Sequence, residues 1–199
     1  MRFLVLDGID GSGKNTSAHW ACAWYREKGM RCEIWQHPSD RWTGKLARKA
    51  LLSRGRSMRT LASIFYIVDV LTSTAKLRRH KGDDEVIIFV RYLMGTAYLP
   101  ERFMKSAYDF FCKILPVPQV MLLVDIDPQV ALSRIESRQD AKEMFEDLES
   151  LQKARRKTLA LAGKGWAVLD NSGSADASRQ DLQDILAEWE DAGLTIWRA

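Results

Sequence analysis

An apolar run, Phe3-Leu4-Val5-Leu6-Asp7, passes directly into Gly8-Ile9-Asp10-Gly11-Ser12-Gly13-Lys14-Asn15-Thr16, and from there into a stretch whose apolar residues recur every three or four places. A buried strand, a glycine loop and a helix in immediate succession leave few folds open. The loop fits G-x-x-x-x-G-K at every position, in the context where that spacing cradles phosphates. Gly8, Gly11 and Gly13 permit the tight path, successive backbone N–H groups around Ser12 converge on a concavity, and the helix that follows offers its positive end. Lys14 adds a point charge for the outer phosphates of a triphosphate. One place departs from the pattern: Asn15 follows the lysine where Ser or Thr ordinarily supplies a hydroxyl to Mg²⁺, and Thr16 comes one place late. An amide oxygen is still an acceptable hard ligand, so Asn15 and Thr16 are the candidate metal residues.

Beyond the loop, short runs rich in Val, Ile and Leu alternate with helical periodicity, the pattern of a parallel sheet covered on both faces. Strands are expected at 2–7, 31–36, 86–90, 120–125 and 166–169. Helices are expected at about 14–28, 44–53, 57–80, 99–113, 128–137, 143–162 and 176–191. The fold class is therefore α/β: a three-layer P-loop NTPase fold with a five-stranded parallel sheet flanked by helices. A length of 199 residues suits one domain over 1–199. The most polar break between helices, about 138–147, is expected to form a short lid.

Composition removes several alternatives. The apolar runs Val86 to Val90 and Val120 to Val124 span five residues each, against roughly 20 for a membrane-crossing helix. With a strand beginning at Arg2, no room is left for a secretion signal, and the expected location is cytoplasmic. Cys22, Cys32 and Cys112 are scattered and read as ordinary thiols. Thirty Lys and Arg are interleaved with 26 Asp and Glu, for a net charge of +4. Neither a nucleic-acid nor a membrane partner is expected on this ground.

The opening residues from Phe3 to Lys14 resemble the signature of the thymidylate kinases, small P-loop nucleoside-monophosphate kinases. Val86 to Tyr92 followed by Ala97-Tyr98 is similar to the strand and turn of that family's Asp-Arg-Tyr motif. Val124 to Pro128, Ala131 to Ile135, Arg138 and Phe145-Glu146 are similar to its strand, helix and lid. The resemblance implies transfer of the γ-phosphate of ATP, with Mg²⁺, to a phosphate-bearing acceptor, thymidine monophosphate by family, in a homodimer that the long helix 57–80 could build. It implies triphosphate contacts from Gly8 to Thr16 and catalytic roles for Lys14, Arg91 and the lid-side arginines Arg134 and Arg138, with Lys142 as a further lid candidate. It also implies acceptor contacts from Asp10, Pro38, Tyr66, Asp69, Arg91, Tyr92, Thr96 and Tyr98.

Departures gather on the metal and acceptor sides. Val90 stands where the family has the aspartate of Asp-Arg-Tyr, Gln36-His37-Pro38 where it has Arg-Glu-Pro, Val70 where it has an arginine, and Leu99 where it has a glutamine. Each loss removes a polar group, so a permissive acceptor pocket with weak saturation by thymidine monophosphate is expected, or a kinase for another nucleotide or metabolite. A nucleotide-binding protein without turnover is the reading of a different class. Arg91, closing a buried strand, must meet a carboxylate or a phosphate, since burying an unpaired guanidinium is costly. Arg134 and Arg138, four apart, share a helix face. Tyr66 or Phe65 would stack on an acceptor base if it is not core.

Overall fold

The computed structural model describes residues 1–51, 56–80, 82, 85–137, 147–163 and 165–197. Five strands, β1 (Arg2–Asp7), β2 (Arg31–Gln36), β3 (Glu85–Val90), β4 (Met121–Asp125) and β5 (Trp166–Asp170), form one parallel sheet in the order β2-β3-β1-β4-β5. Around them run α1 (Lys14–Glu27), α2 (Trp42–Leu51), α3 (Arg56–Leu77), α4 (Glu101–Ile114), α5 (Pro128–Glu136), α6 (Leu148–Ala162) and α7 (Ala175–Asp191). A 3₁₀ turn at Met94–Tyr98 follows β3. Each expected element has a counterpart, and the ends expected at 53 and 143 lie outside the described residues.

Alternation of side chains across the pleat builds two cores. Phe3, Val5, Ile87, Phe89, Met121 and Leu123 pack with α3, α4 and α6 on one face. Leu4, Leu6, Ile88, Val90, Leu122 and Val124 pack with α1 and α7 on the other. Central strands buried on both faces explain the unbroken apolar runs, because no position is left for a polar residue until the strand ends. A third, smaller cluster of Ile9, Ile126, Ala131, Ile135, Leu151 and Ala154 fastens the glycine loop to α5 and α6. At the start of α5, Pro128 occupies the first turn and the Asp127 side chain caps it, accepting from Gln129 N at 2.8 Å.

Two features differ from the sequence reading. Cys22 and Cys32 are joined as a disulfide, with their Cα atoms 5.4 Å apart, while Cys112 stands outside it. Neither pattern nor spacing signals this pairing. It arises because the buried side of α1 lies against the buried side of β2, so two sulfurs distant in local pattern enter one core. Past α7 the chain also turns back along β1, where Phe3 N donates to Thr195 O and Trp197 N to Met1 O. Among the described residues, no helix is long and apolar enough to cross a membrane.

Candidate active site

Parallel strands put all their carboxyl ends on one edge, where ligands collect in open α/β sheets. Asp7, Val90 and Asp125 end there, and so does the glycine loop. Gly13, at φ +83°, caps α1, a backbone conformation that side chains disfavour. Gly11, at φ +76°, passes so near α5 that a Cβ would stand 2.6 Å from Ala131 O. Lys14 is buried and folded back on its own loop, with Nζ donating to Ile9 O at 2.8 Å and lying 3.7 Å from Asp10 Oδ1.

Asp10 joins three of the residues expected to bind substrate. Its Oδ1 accepts from Arg91 Nη2 at 2.5 Å and its Oδ2 from the Tyr98 hydroxyl at 3.2 Å. Burial alone would raise the Asp10 pKa, but the charges of Arg91 and Lys14 outweigh it and hold the carboxyl at about 2. Two cations suited to phosphate thus share one carboxylate. The Tyr98 hydroxyl, buried beside that negative charge, is pushed well above its ordinary range.

Arg91 takes φ +60°, the only positive φ at a non-glycine position among the described residues. Its N–H donates to Leu6 O at 3.2 Å and its carbonyl accepts from the Tyr66 hydroxyl at 2.6 Å. Next along the chain, Asp7 Oδ2 accepts from the backbone N–H of Tyr92, Leu93 and Met94 at 2.8, 3.1 and 2.9 Å, and Oδ1 from Gly8 N at 3.1 Å. Burial raises the Asp7 pKa despite these four amides.

Other expected acceptor residues are engaged internally. Asp69 is fully buried and accepts from Ser39 N and Oγ, Arg41 Nε and Nη2, and Thr43 Oγ1, which draws its pKa down against burial. Its carboxylate therefore braces the segment after β2 against α3. Tyr92 points into the core, its hydroxyl donating to Pro116 O at 3.0 Å, and Thr96 Oγ1 bonds Leu93 O within its own turn. Pro38, buried, accepts at its carbonyl from Arg48 Nη2 at 3.1 Å. His37 is buried, with Nε2 2.8 Å from Ser73 Oγ, and desolvation lowers its pKa to about 4, leaving it neutral. Val70 lies in the core. Tyr66 is half-buried, with its ring against Gly95.

On the far side of the glycine loop's helix start, Asn171 at the end of β5 donates Nδ2 to Ser12 O at 2.7 Å. The Asn171 carbonyl accepts from Arg134 Nη2 at 3.0 Å. Arg134 is thereby held beside the loop, and a Cβ on Gly13 would stand 3.6 Å from its Nη1. Arg155 clamps Asp125 with two bonds, at 2.9 and 2.8 Å. Arg138, Lys142 and nearly all of the expected lid lie outside the described residues.

Asn15 and Thr16 are exposed on the first turn of α1. Among the described residues, no three His, Cys, Asp or Glu side chains gather in a way that could hold a metal. Asp7 is occupied by amides, Asp125 by Arg155, and Val90 is buried apolar wall. The protein ligands left for a cation are thus an amide oxygen and a hydroxyl, with phosphate oxygens and water completing the shell. That set suits Mg²⁺ arriving with a triphosphate, because Mg²⁺ keeps most of its waters and takes few protein ligands. Sequence reasoning gave Asp7 and Asn171 no role. An acid ending a fully apolar strand was a readable signal for Asp7, whereas nothing local marks Asn171.

A parallel sheet with a phosphate loop at its carboxyl edge, and with Lys14 and Arg91 meeting at Asp10, defines a P-loop phosphotransferase of the nucleoside-monophosphate kinase type. The thymidylate kinase family model matches residues 6–182, and the chain belongs to that family. It is 30% identical over 192 residues to a protein of Methanothermobacter thermautotrophicus named probable thymidylate kinase, covering 93% of this chain and 94% of that one. It is 29% identical over 185 residues to the thymidylate kinase of Xanthomonas campestris pv. campestris, covering 87% and 78%. The solved structure of Candida albicans thymidylate kinase superposes with a TM-score of 0.75 at 18% identity, covering 98% of this chain and 93% of the other.

Proposed function

We propose that this protein transfers the γ-phosphate of ATP, as its Mg²⁺ complex, to thymidine monophosphate. The observation that carries the reading is the convergence of Lys14 and Arg91 on Asp10 beside an intact phosphate loop. When phosphates enter, Lys14 exchanges Ile9 O and Asp10 for the outer phosphates of the donor, and Arg91 turns its guanidinium to the phosphate of the acceptor. An acceptor phosphate oxygen attacks the γ-phosphorus, the bond to the β–γ bridging oxygen breaks, and the nucleoside diphosphates leave. The attacking oxygen is already ionised near neutral pH, since a phosphate monoester loses its second proton near pH 6. No general base is required. Asn15, with Thr16 near, would hold Mg²⁺, which when bound would neutralise charge on the donor phosphates. The chain's own contribution is alignment and electrostatic stabilisation.

Asp10, Tyr66 and Tyr98 complete the acceptor pocket in this reading, while Asp69, Tyr92, Thr96 and Pro38 hold its walls. Arg134 bears on the donor phosphates. The chain works as a homodimer built on α3, in the cytoplasm. A coupled assay of ATP consumption tests the assignment: turnover is expected with thymidine monophosphate and magnesium. Because Val70 is core and offers the base no polar group, other monophosphates belong in the same panel. Turnover with one of them alone would reassign the acceptor, and none with any would leave a nucleotide-binding protein.

A further inference from the structure

Arg91 is held in a backbone conformation that a non-glycine residue adopts only at a cost, and such strain persists only where the surroundings over-determine it. The restraints can be named. Arg91 N is tied to Leu6 O, Arg91 O to the Tyr66 hydroxyl, and the next three amides all converge on a single oxygen of Asp7. β1 and β3 are adjacent with Leu6 opposite Val90, so Asp7 stands directly across from the residue that must bend. Oδ1 of the same carboxylate receives Gly8 N, the first amide of the phosphate loop. One buried side chain therefore fixes the acceptor-side turn to the donor-side loop.

We propose that Asp7 is a positioning residue for phosphoryl transfer: it sets the turn that presents Arg91 to the acceptor phosphate and thereby the distance between the two reacting phosphates. This rests on the reading of Arg91 as the acceptor-phosphate ligand. Asp7 makes no contact with substrate in this scheme. A neutral amide of the same shape offers only one acceptor oxygen and sets an NH₂ against a backbone donor, so Asp7→Asn should loosen the turn without opening a cavity.

A double-mutant cycle separates positioning from mere stability. Asp7→Asn should lower kcat/KM for the acceptor about 100-fold, the loss that misplacement by roughly 1 Å can produce. The affinity for a non-hydrolysable ATP analogue should stay within about twofold, because the loop's remaining amides and Lys14 are untouched. In an Arg91→Ala background the same change should cost less than about threefold, since the group it positions is gone. Equal losses in both backgrounds, or a parallel loss of analogue binding, would overturn the proposal. So would unchanged kcat/KM in Asp7→Asn while Arg91→Ala is crippled. If Arg91→Ala itself keeps full activity, the acceptor reading of the site fails instead. Should Asp7→Asn not fold, Tyr66→Phe removes the side-chain hold on the Arg91 carbonyl and carries the same cycle, with a coupled, smaller loss expected and an uncoupled one decisive against.

Discussion

Asp10 carries more of the site's electrostatics than its place within a glycine loop suggests. A carboxyl held at about 2 in the folded chain and at its ordinary value near 3.8 when unfolded contributes stability above the unfolded value, and loses it as pH falls through the folded one. The shift corresponds to about 2 kcal/mol. Asp10→Asn should therefore flatten the loss of stability between about pH 4 and 2, as read by denaturant midpoints at stepped pH. An unchanged acid limb would mean that Arg91 and Lys14 do not grip this carboxylate in solution. Asp7 works with the opposite sign. Its raised pKa makes the ionised form a cost, so that stability is gained as pH falls through its folded value. The lysine of the loop has a separate test. Lys14→Ala leaves the backbone amides in place but removes the charge that follows the transferred group, and should slow turnover by about 10²–10³. A rate within tenfold of the parent enzyme would remove Lys14 from the chemistry.

At the scale of elements, the joint between β2, α2 and α3 gathers several buried polar groups. His37 sits between Ser73 and the Val90 carbonyl, and Asp69 collects the segment from Ser39 to Thr43. Desolvation lowers the His37 pKa from 6.5 to about 4, so the unfolded chain takes the proton first on acidification. Stability present above about pH 6.5 is thus lost progressively down to pH 4, by up to about 3 kcal/mol. Melting temperatures between pH 7 and 4 should fall accordingly, and His37→Gln, which can still bond Ser73, should level that slope. A parent protein with a flat profile would refute it. The same joint shows why the sequence is an uneven guide. β1, β3 and β4 were readable because both their faces are buried, so that pattern and burial coincide. The loop Gly8 to Thr16 was readable because phosphate binding uses backbone at a fixed spacing. The bonding of Asp69 to Ser39, Arg41 and Thr43 was not, because it depends on how α3 packs across the end of β2, and no local period records that. The reach of Asn171 to Ser12, across 159 residues, was hidden for the same reason.

For the whole molecule, the apolar surface that the fold leaves uncovered bears on assembly. On α3, Leu61, Ile64, Val68 and Leu71 recur at spacings of three and four, so they form one stripe, and all are exposed, Ile64 at 52%. The opposite face of the same helix carries Asp69, Val70, Ser73 and Leu77, which are buried. α2 packs along α3 and adds Trp42, exposed at 68%, and Leu46. A helix with one face buried and an apolar stripe on the other needs two partners. The sheet is one, and a second copy meeting the stripe through a twofold axis would be the other, since a self-complementary patch closes on itself. Sedimentation should accordingly give twice the 22.8 kDa mass of the chain. Ile64→Glu places a charge mid-stripe in each subunit, so that two like charges would face one another in the dimer. It should yield a monomer with its near-ultraviolet circular dichroism intact. A parent protein that sediments as a monomer at micromolar concentration, or a charged variant that remains a dimer, would show that this face is not where the copies meet.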